Sequence, residues 1–224
     1  MFIAERAISL LAPHRCLVCE REGALLCEWC RPDAFPPLPP RCFGCYRLSR
    51  DFKTCSDCRK QSRISHAWIV TEYDALATSV IQKFKFQRAK RACELIAGEL
   101  DQLLPELGSE LIITHVPTAT GRRRQRGYDQ SELIAKSLAR LRGLPHGTLL
   151  YRHGQARQVG ADRQKRIKQM QAVFRVHKNA PQYPKVLLID DLVTTGASLE
   201  AAARTLKNAG AGRVYAAAFA QRSV

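Results

Sequence analysis

The chain has 224 residues, 46% of them hydrophobic, which suits an ordinary domain with a real core plus a smaller unit, and its formal charge at neutral pH is +16. No apolar run reaches the roughly 18 residues that span a bilayer, and Glu5 and Arg6 interrupt the apolar start with no small-residue cleavage pattern behind it. Composition thus argues against a membrane span or a secreted scaffold and predicts a cytoplasmic protein that opens on a short amphipathic helix.

The first quarter carries four C-x-x-C pairs, Cys16/Cys19, Cys27/Cys30, Cys42/Cys45 and Cys55/Cys58. Two residues between cysteines let a tight knuckle aim both sulfurs at one metal, and two knuckles complete a tetrahedral thiolate shell. A disulfide scaffold would need an oxidising compartment, and a thioredoxin-like redox site needs one such pair. Two structural zinc sites follow, with zinc ahead of iron–sulfur because the spacing is ribbon-like. Neighbouring pairs or interleaved pairs could share a metal; the spacing leaves both open. With "FPPLPPRC" stiffening its middle, this segment buries little, so metal should supply most of its folding free energy, roughly 10 kcal/mol or more per site. Each four-thiolate site carries −2, which brings the net charge from +16 to about +12. Cys93 stands alone in a helical pattern and is expected to be a small buried apolar residue.

Beyond Arg63 the pattern changes, which sets the expected domains at 1–63 and 64–224. "HAWIVTEY" reads as a strand, "ALATSVIQKFKF" and "RACELIAGELDQLL" as helices, and "ELIITHV", ended by Pro117, as a buried strand. "QSELIAKSLARL" follows as a helix capped by Asp129 or Ser131. "KVLLID", "SLEAAARTLKNAG" and "RVYAAAFA" then give strand, helix and strand. This alternation predicts an α/β fold with a mostly parallel sheet covered on both faces, and in such sheets ligands sit at the carboxyl ends of the strands.

Charge is concentrated in two places. "GRRRQRG" holds Arg122, Arg123, Arg124 and Arg126, and residues 151–178 hold eight basic side chains, Arg166 among them, against Asp162 alone. Such clusters suit nucleic acid, pyrophosphate or both, although a solvated basic surface is the plainer reading. Trp68, Phe84, Phe86, Tyr128 and Tyr151 are candidates for stacking on bases. Most should be core, with Tyr128, between Gly and Asp, the one expected to be exposed.

The most informative stretch is "KVLLIDDLVTTGASL". Adjacent acids at the end of a buried strand cannot both be paired in a core, yet two acceptor-only carboxylates suit the two donors of a ribose diol. Backbone N–H groups at the following helix start, with the hydroxyls of Thr194, Thr195 and Ser198, would cradle a phosphate, and Gly196 would let it approach.

"VLLIDDLVTTGASL" resembles the phosphoribosyl pyrophosphate (PRPP) motif of type I phosphoribosyltransferases. Together with the cysteine pairs and "VPTATGRRRQRGYDQSELIA", nearly the whole chain resembles the ComF family. Tyr128-Asp129 stands where that family usually has Phe-Asn, which puts an acid beside the basic loop, and Gln169 follows Arg166 where it often has Asn. The resemblance implies a phosphoribosyltransferase-type parallel sheet preceded by a small double zinc-ribbon domain. It assigns Asp190 and Asp191 to the ribose hydroxyls as the catalytic pair, and Thr194, Thr195, Gly196, Ala197 and Ser198 to the 5′-phosphate. Arg122, Arg123, Arg124, Arg126 and Arg166 become candidates for pyrophosphate or nucleic acid, with Mg²⁺ accompanying PRPP. All eight ribbon cysteines become zinc ligands, and residues 151–169 a loop that closes over the site.

The resemblance also implies natural transformation as the setting, with single-stranded DNA and a DNA-translocating competence helicase as partners. An active phosphoribosyltransferase of nucleobase metabolism is the alternative. It needs a hood that recognises the acceptor base; none is expected after "YAAAFAQRSV", and the ribbons offer no obvious base pocket.

Overall fold

The computed structural model of the protein describes residues 15–86, 89–153, 173–178 and 183–222. The N-terminal amphipathic helix, Arg166 and most of the proposed closing loop therefore lie outside the described residues, as do the side chains of residues 84–91, Thr120, Arg122 and Gln125.

Four parallel strands form the central sheet: β1 (Ile64–Glu72), β2 (Leu111–His115), β5 (Lys185–Val193) and β6 (Arg213–Gln221), in the order β1-β6-β5-β2. Their near-continuous apolar runs reflect burial on both faces. One face is covered by α2 (Ala75–Phe86), α3 (Ala89–Leu103) and α5 (Gln130–Arg142), whose Ile81, Ile96, Leu100, Ile134 and Leu138 are fully buried with Leu187, Ile189 and Phe219 of the sheet. The other face carries α6 (Ala197–Asn208), where Ala201, Ala202 and Ala203 meet Ala216 and Ala218, small residues that let helix and sheet approach closely. Among the described residues no helix is long and apolar enough to cross a membrane.

The helix α2 coincides with the expected segment; Asp74 starts it, accepting from the Ala77 N–H at 2.7 Å. Asp129 caps α5, accepting from Glu132 N at 3.4 Å, and Gly143 ends it in the left-handed region. Three elements differ from expectation. The strand that begins with "KVLLID" continues through both aspartates to Val193. The basic "TGRRRQR" is a short helix, α4 (Thr120–Arg126), closed by Gly127 at φ +80°, and not a loop. Finally, β3 (Leu150–Arg152) and β4 (Phe174–Val176) pair antiparallel as a separate ribbon at the root of the segment expected to close over the site.

Residues on the two sides of position 63 pack together. Leu25, Leu26 and Phe35 belong to the hydrophobic cluster under α2, α3 and α5, while Phe43 belongs to the one under α6. The ring of Phe35 meets that of Phe219 edge-on at 5.1 Å. Arg31, at the start of the one-turn helix α1 (Arg31–Ala34), pairs with Glu99 of α3 at 2.6 Å. Bridges Lys53–His66 and Ile113–His146 cover the outer strands β1 and β2, a common way to blunt sheet edges.

Candidate functional site

The sheet has a notched carboxyl edge. Strand β2 stops at His115, opposite Ile189, and Val116 N donates the last bond to Ile189 O at 2.9 Å. On its other side β5 stays paired with β6 as far as Val193 and Gln221. Asp190 and the residues after it therefore have a sheet neighbour on one side only. The Asp190 Oδ1 accepts from Ser131 Oγ of α5 at 3.1 Å and from Asp191 N at 2.9 Å. Burial, reinforced by the Asp191 carboxylate, pushes the pKa of Asp190 well above the ordinary carboxylate range. A carboxyl so placed gains from a ligand that donates to it, because donation favours the ionised form.

After Val193 the chain bends through Thr194, Thr195 and Gly196 into α6, with both threonines exposed. Thr195 Oγ1 accepts from Ala197 N at 3.4 Å, and no side chain caps the helix start. Ala197 and Ser198 are half-buried in the first turn. The five residues of "TTGAS" thus lie together at the amino end of a 12-residue helix, where peptide dipoles favour an anion.

Gly196 has φ +72°, and a Cβ there would come within 2.7 Å of the Phe43 ring. Glycine is therefore required by backbone conformation and by a neighbour, beyond any need of a ligand. That neighbour sits inside the Cys42–Cys45 pair. Sequence reasoning missed it: nothing in "CFGC" says that its phenylalanine reaches a loop 150 positions on, although an aromatic inside a metal knuckle is an unusual choice where solvent is expected.

The arginines divide. Arg123 and Arg124 are exposed, and Arg126 is half-buried with its Nη1 donating to Gln130 Oε1. Cations in the last turn of α4 also suit the helix dipole, so their place there has a purely structural reason as well. Asp129 turns away from this surface. It is 4% exposed and accepts from Thr118 N at 2.7 Å and Thr118 Oγ1 at 3.0 Å, tying the loop after Pro117 to the start of α5. The acid beside the basic segment is thus a buried brace.

Of the stacking candidates, Trp68 is buried, parallel to His66 at 5.5 Å and tilted against Tyr215 at 5.6 Å, and is a core residue. Tyr128, expected outside, is half-buried against the main cluster. Tyr151 is exposed; Phe84 and Phe86 side chains lie outside the described residues. An exposed ring that sequence reasoning overlooked is Trp29, 71% exposed between Cys27 and Cys30.

The eight cysteines form two tetrads of neighbouring pairs, Cys16/Cys19/Cys27/Cys30 and Cys42/Cys45/Cys55/Cys58, and within each the sulfurs all lie within 4.8 Å of one another. This settles the pairing left open by spacing. Each tetrad has the all-thiolate donor set of a structural zinc site and could hold one ion.

The titration of the tetrads points the same way. Burial raises the Cys16 thiol, but backbone hydrogen bonds from Cys19, Cys27 and Val18 outweigh it and leave a pKa of about 6. Cys30 is pushed up to about 12 by the sulfurs of Cys19 and Cys27 and by burial. In the second tetrad, Cys45 falls to about 6, chiefly through Arg47, whose Nε lies 3.4 Å from its Sγ. Cys58 is pushed up, by burial first and then by its three companions. Four sulfurs at this separation cannot all ionise unless a cation joins them. Cys93 stays apart, buried, donating to Leu133 O, with burial raising its pKa to about 12.

The model of the phosphoribosyl transferase domain matches residues 162–224. Among curated proteins, the chain is 24% identical over 214 residues to competence protein ComFC of Bacillus subtilis, covering 92% of this chain and 83% of that protein. It is 26% identical over 215 residues to competence protein F of Haemophilus influenzae, covering 82% and 91%. Among solved structures, similar chains include an allosteric regulatory enzyme of purine biosynthesis (14% identity, TM-score 0.42, 62% of this chain and 30% of that one). Another is the adenine phosphoribosyltransferase of Thermoanaerobacter pseudethanolicus (16% identity, TM-score 0.39, 64% and 84%).

Proposed function

We propose that the chain is a member of the ComF family, that it binds PRPP with Mg²⁺ on a phosphoribosyltransferase-like sheet, and that it acts with single-stranded DNA in DNA uptake for natural transformation. The observation that carries the first part is the meeting of Asp190 and Asp191, on the overhanging end of β5, with the exposed threonines and helix start that follow. In this reading the ribose hydroxyls donate to the two carboxylates. Asp190, held by Ser131 and by its neighbour's N–H, gives up its proton as they bind. The 5′-phosphate lies against Thr194, Thr195, Gly196, Ala197 and Ser198, one sugar away. Arg123, Arg124 and Arg126 are near in sequence to a surface that pyrophosphate or DNA would use, with Arg122 and Arg166 as further candidates. Mg²⁺ accompanies the pyrophosphate, a hard cation on hard oxygens that keeps several waters.

The competence role rests on the two relatives, both named competence proteins and both aligned over 82% or more of each chain. A DNA-translocating helicase is the partner this role calls for, and a cytoplasmic location goes with it. The division of labour follows the sequence: residues 1–63 as a zinc-held unit, 64–224 as the ligand-binding one.

Calorimetry with PRPP and Mg²⁺, on the wild type and on Asp190→Asn/Asp191→Asn, tests the first part. Binding that the double variant loses is the expected result, and no binding by folded, zinc-loaded wild type would sink it. Affinity for a single-stranded oligonucleotide should fall steeply with salt if phosphate contacts dominate; a flat salt profile counts against the second part.

A further inference from the structure

Two large aromatic side chains are exposed among the described residues, Trp29 and Tyr151. A base of an unpaired strand can stack on either, so exposure alone does not choose between them. Their surroundings do. Trp29 stands in the second knuckle of the first tetrad, where Glu20, Glu22, Glu28 and Asp33 are exposed. Against them stand exposed Arg15, already paired with Glu22 at 3.3 Å, and Arg21, while Arg31 is taken by Glu99. A phosphate backbone approaching that ring meets carboxylates first.

Tyr151 stands on the antiparallel ribbon of β3 and β4 in the opposite company. It is directly opposite Arg175 in the register, so the two side chains share a face. His153 and His177 lie two residues along from them on that face, tied across the ribbon by His153 N to Val173 O at 2.6 Å and His177 N to Leu149 O at 3.0 Å. Leu149 and Val173 are buried, so the polar face is a strip and not the whole side. Tyr151, His153, Arg175 and His177 are all exposed, as is Lys178. The rings of Tyr151 and His177 are tilted by 50° with centroids 4.9 Å apart. Residues 149–153 and 173–178 contain no aspartate or glutamate. The strip is a ring set among Arg175, Lys178 and two imidazoles, with no carboxylate on its own ribbon to repel a phosphate.

The inner face of the ribbon holds the strip in place. Leu150 and Phe174 are buried and Val176 packs beside them, in the cluster that α6 shares with the sheet. Three residue pairs would be marginal as a free hairpin; docked on that cluster they become a platform. Docking uses the inner face and leaves Tyr151, 38% exposed, outside the core. We propose that the outward strip of the β3–β4 ribbon binds single-stranded DNA, with a base stacked on Tyr151 and the adjacent phosphates met by Arg175 and Lys178. The proposal rests on the reading that the protein acts with single-stranded DNA, and says where the strand lies. Every base has a π-face, so the preference for sequence is weak and the tyrosine hydroxyl is dispensable.

The test is fluorescence anisotropy of a labelled oligothymidylate with the full chain, as wild type and as Tyr151→Ala, Tyr151→Phe, Arg175→Ala and Trp29→Ala. The three positions are exposed, so each variant should keep the wild-type melting temperature. Tyr151→Ala should weaken the oligonucleotide by about fivefold or more, the low end of what one stacked base is worth. Tyr151→Phe and Trp29→Ala should match wild type. Arg175→Ala should weaken binding and make the slope of log affinity against log salt shallower by about 0.7. Wild type that binds no oligonucleotide at low salt overturns the DNA reading and this proposal together. Binding that Tyr151→Ala leaves intact overturns the proposal alone, as does a loss in Trp29→Ala in place of Tyr151→Ala. Inorganic polyphosphate, a polyanion without bases, separates stacking from charge: competition by it should weaken with Arg175→Ala and be indifferent to Tyr151→Ala. An equal weakening with Tyr151→Ala overturns the stacked base.

Discussion

The two cysteine tetrads share a ligand set and a knuckle geometry but differ in what they lean on. The first sends Leu25, Leu26 and Phe35 into the cluster under α2, α3 and α5, fixes Arg31 on Glu99, and leaves Val18 and Trp29 in solvent. The second sends Phe43 onto Gly196, at the turn between β5 and α6. Both have the donor set of a structural metal site, yet one braces the back of the sheet while the other forms part of the front. A repeated motif can thus be duplicated in chemistry and divided in duty, with the division made by one or two apolar side chains per copy.

Removing metal from both should have the largest effect. Each site is worth roughly 10 kcal/mol or more, comparable with the whole stability of an ordinary domain. A strong chelator is expected to unfold residues 15–63 and to lower the melting temperature of the rest. Mass spectrometry should count two zinc ions per chain in wild type, and one in either Cys19→Ser or Cys45→Ser. Equal loss of ligand binding in these two variants at matched stability would erase the distinction drawn above.

Phe35→Ala and Phe43→Ala sharpen it. Both delete a buried ring, and both should cost about 3–5 kcal/mol, read as a fall in the urea midpoint. Only Phe43→Ala should also weaken PRPP, because the loop around Gly196 loses its support. A Phe35→Ala protein that loses PRPP as severely would show that the contact with Gly196 is incidental.

The smallest effect concerns Asp190. Its pKa is raised in the folded state, so the fold binds that proton more tightly than the unfolded chain does. Stability from this group is fully present below the ordinary carboxylate range and falls as pH rises toward the shifted value. Asp190→Asn has no such loss. Its melting temperature relative to wild type should therefore climb as pH rises above the ordinary carboxylate range, and a difference that stays constant or falls would contradict the burial described here. PRPP binding to wild type should release protons, seen as a dependence of the calorimetric heat on buffer.

Much of this was legible in the sequence where a single periodicity ruled. Helix α2 matched to the residue because Ala77, Val80 and Ile81 repeat at helical spacing behind an aspartate. The cysteine spacing announced the two tetrads, and the acids followed by "TTG" announced the front edge. The aspartates read as the end of a strand because charge was taken to stop it; β6 carries β5 further, since backbone pairing is indifferent to side-chain charge on an open edge. Strands β3 and β4 were missed because three residues each, with Arg152 and Arg175 among them, give too short an alternation beside a basic run. The contact of Phe43 with Gly196 could not be read at all: it is a fact of docking between distant segments, and no local pattern encodes it.

The position of β6 has a consequence for how the molecule is made. It lies between β1 and β5, yet it is the last of the four strands in the chain, and among the described residues β1 has no other neighbour in the sheet: Ile64 must wait for Val214. During synthesis the cysteine knuckles and the β2–β5 pair can form first, while "AWIVT" of β1 stays unpaired with its apolar side chains waiting for a surface. Closure of the sheet is then a late, long-range event, of the slow and aggregation-exposed kind. The bridge from Lys53 to His66 covers one side of β1 in the finished fold. If it forms early, the metal-bound knuckles shield a strand whose partner has yet to leave the ribosome.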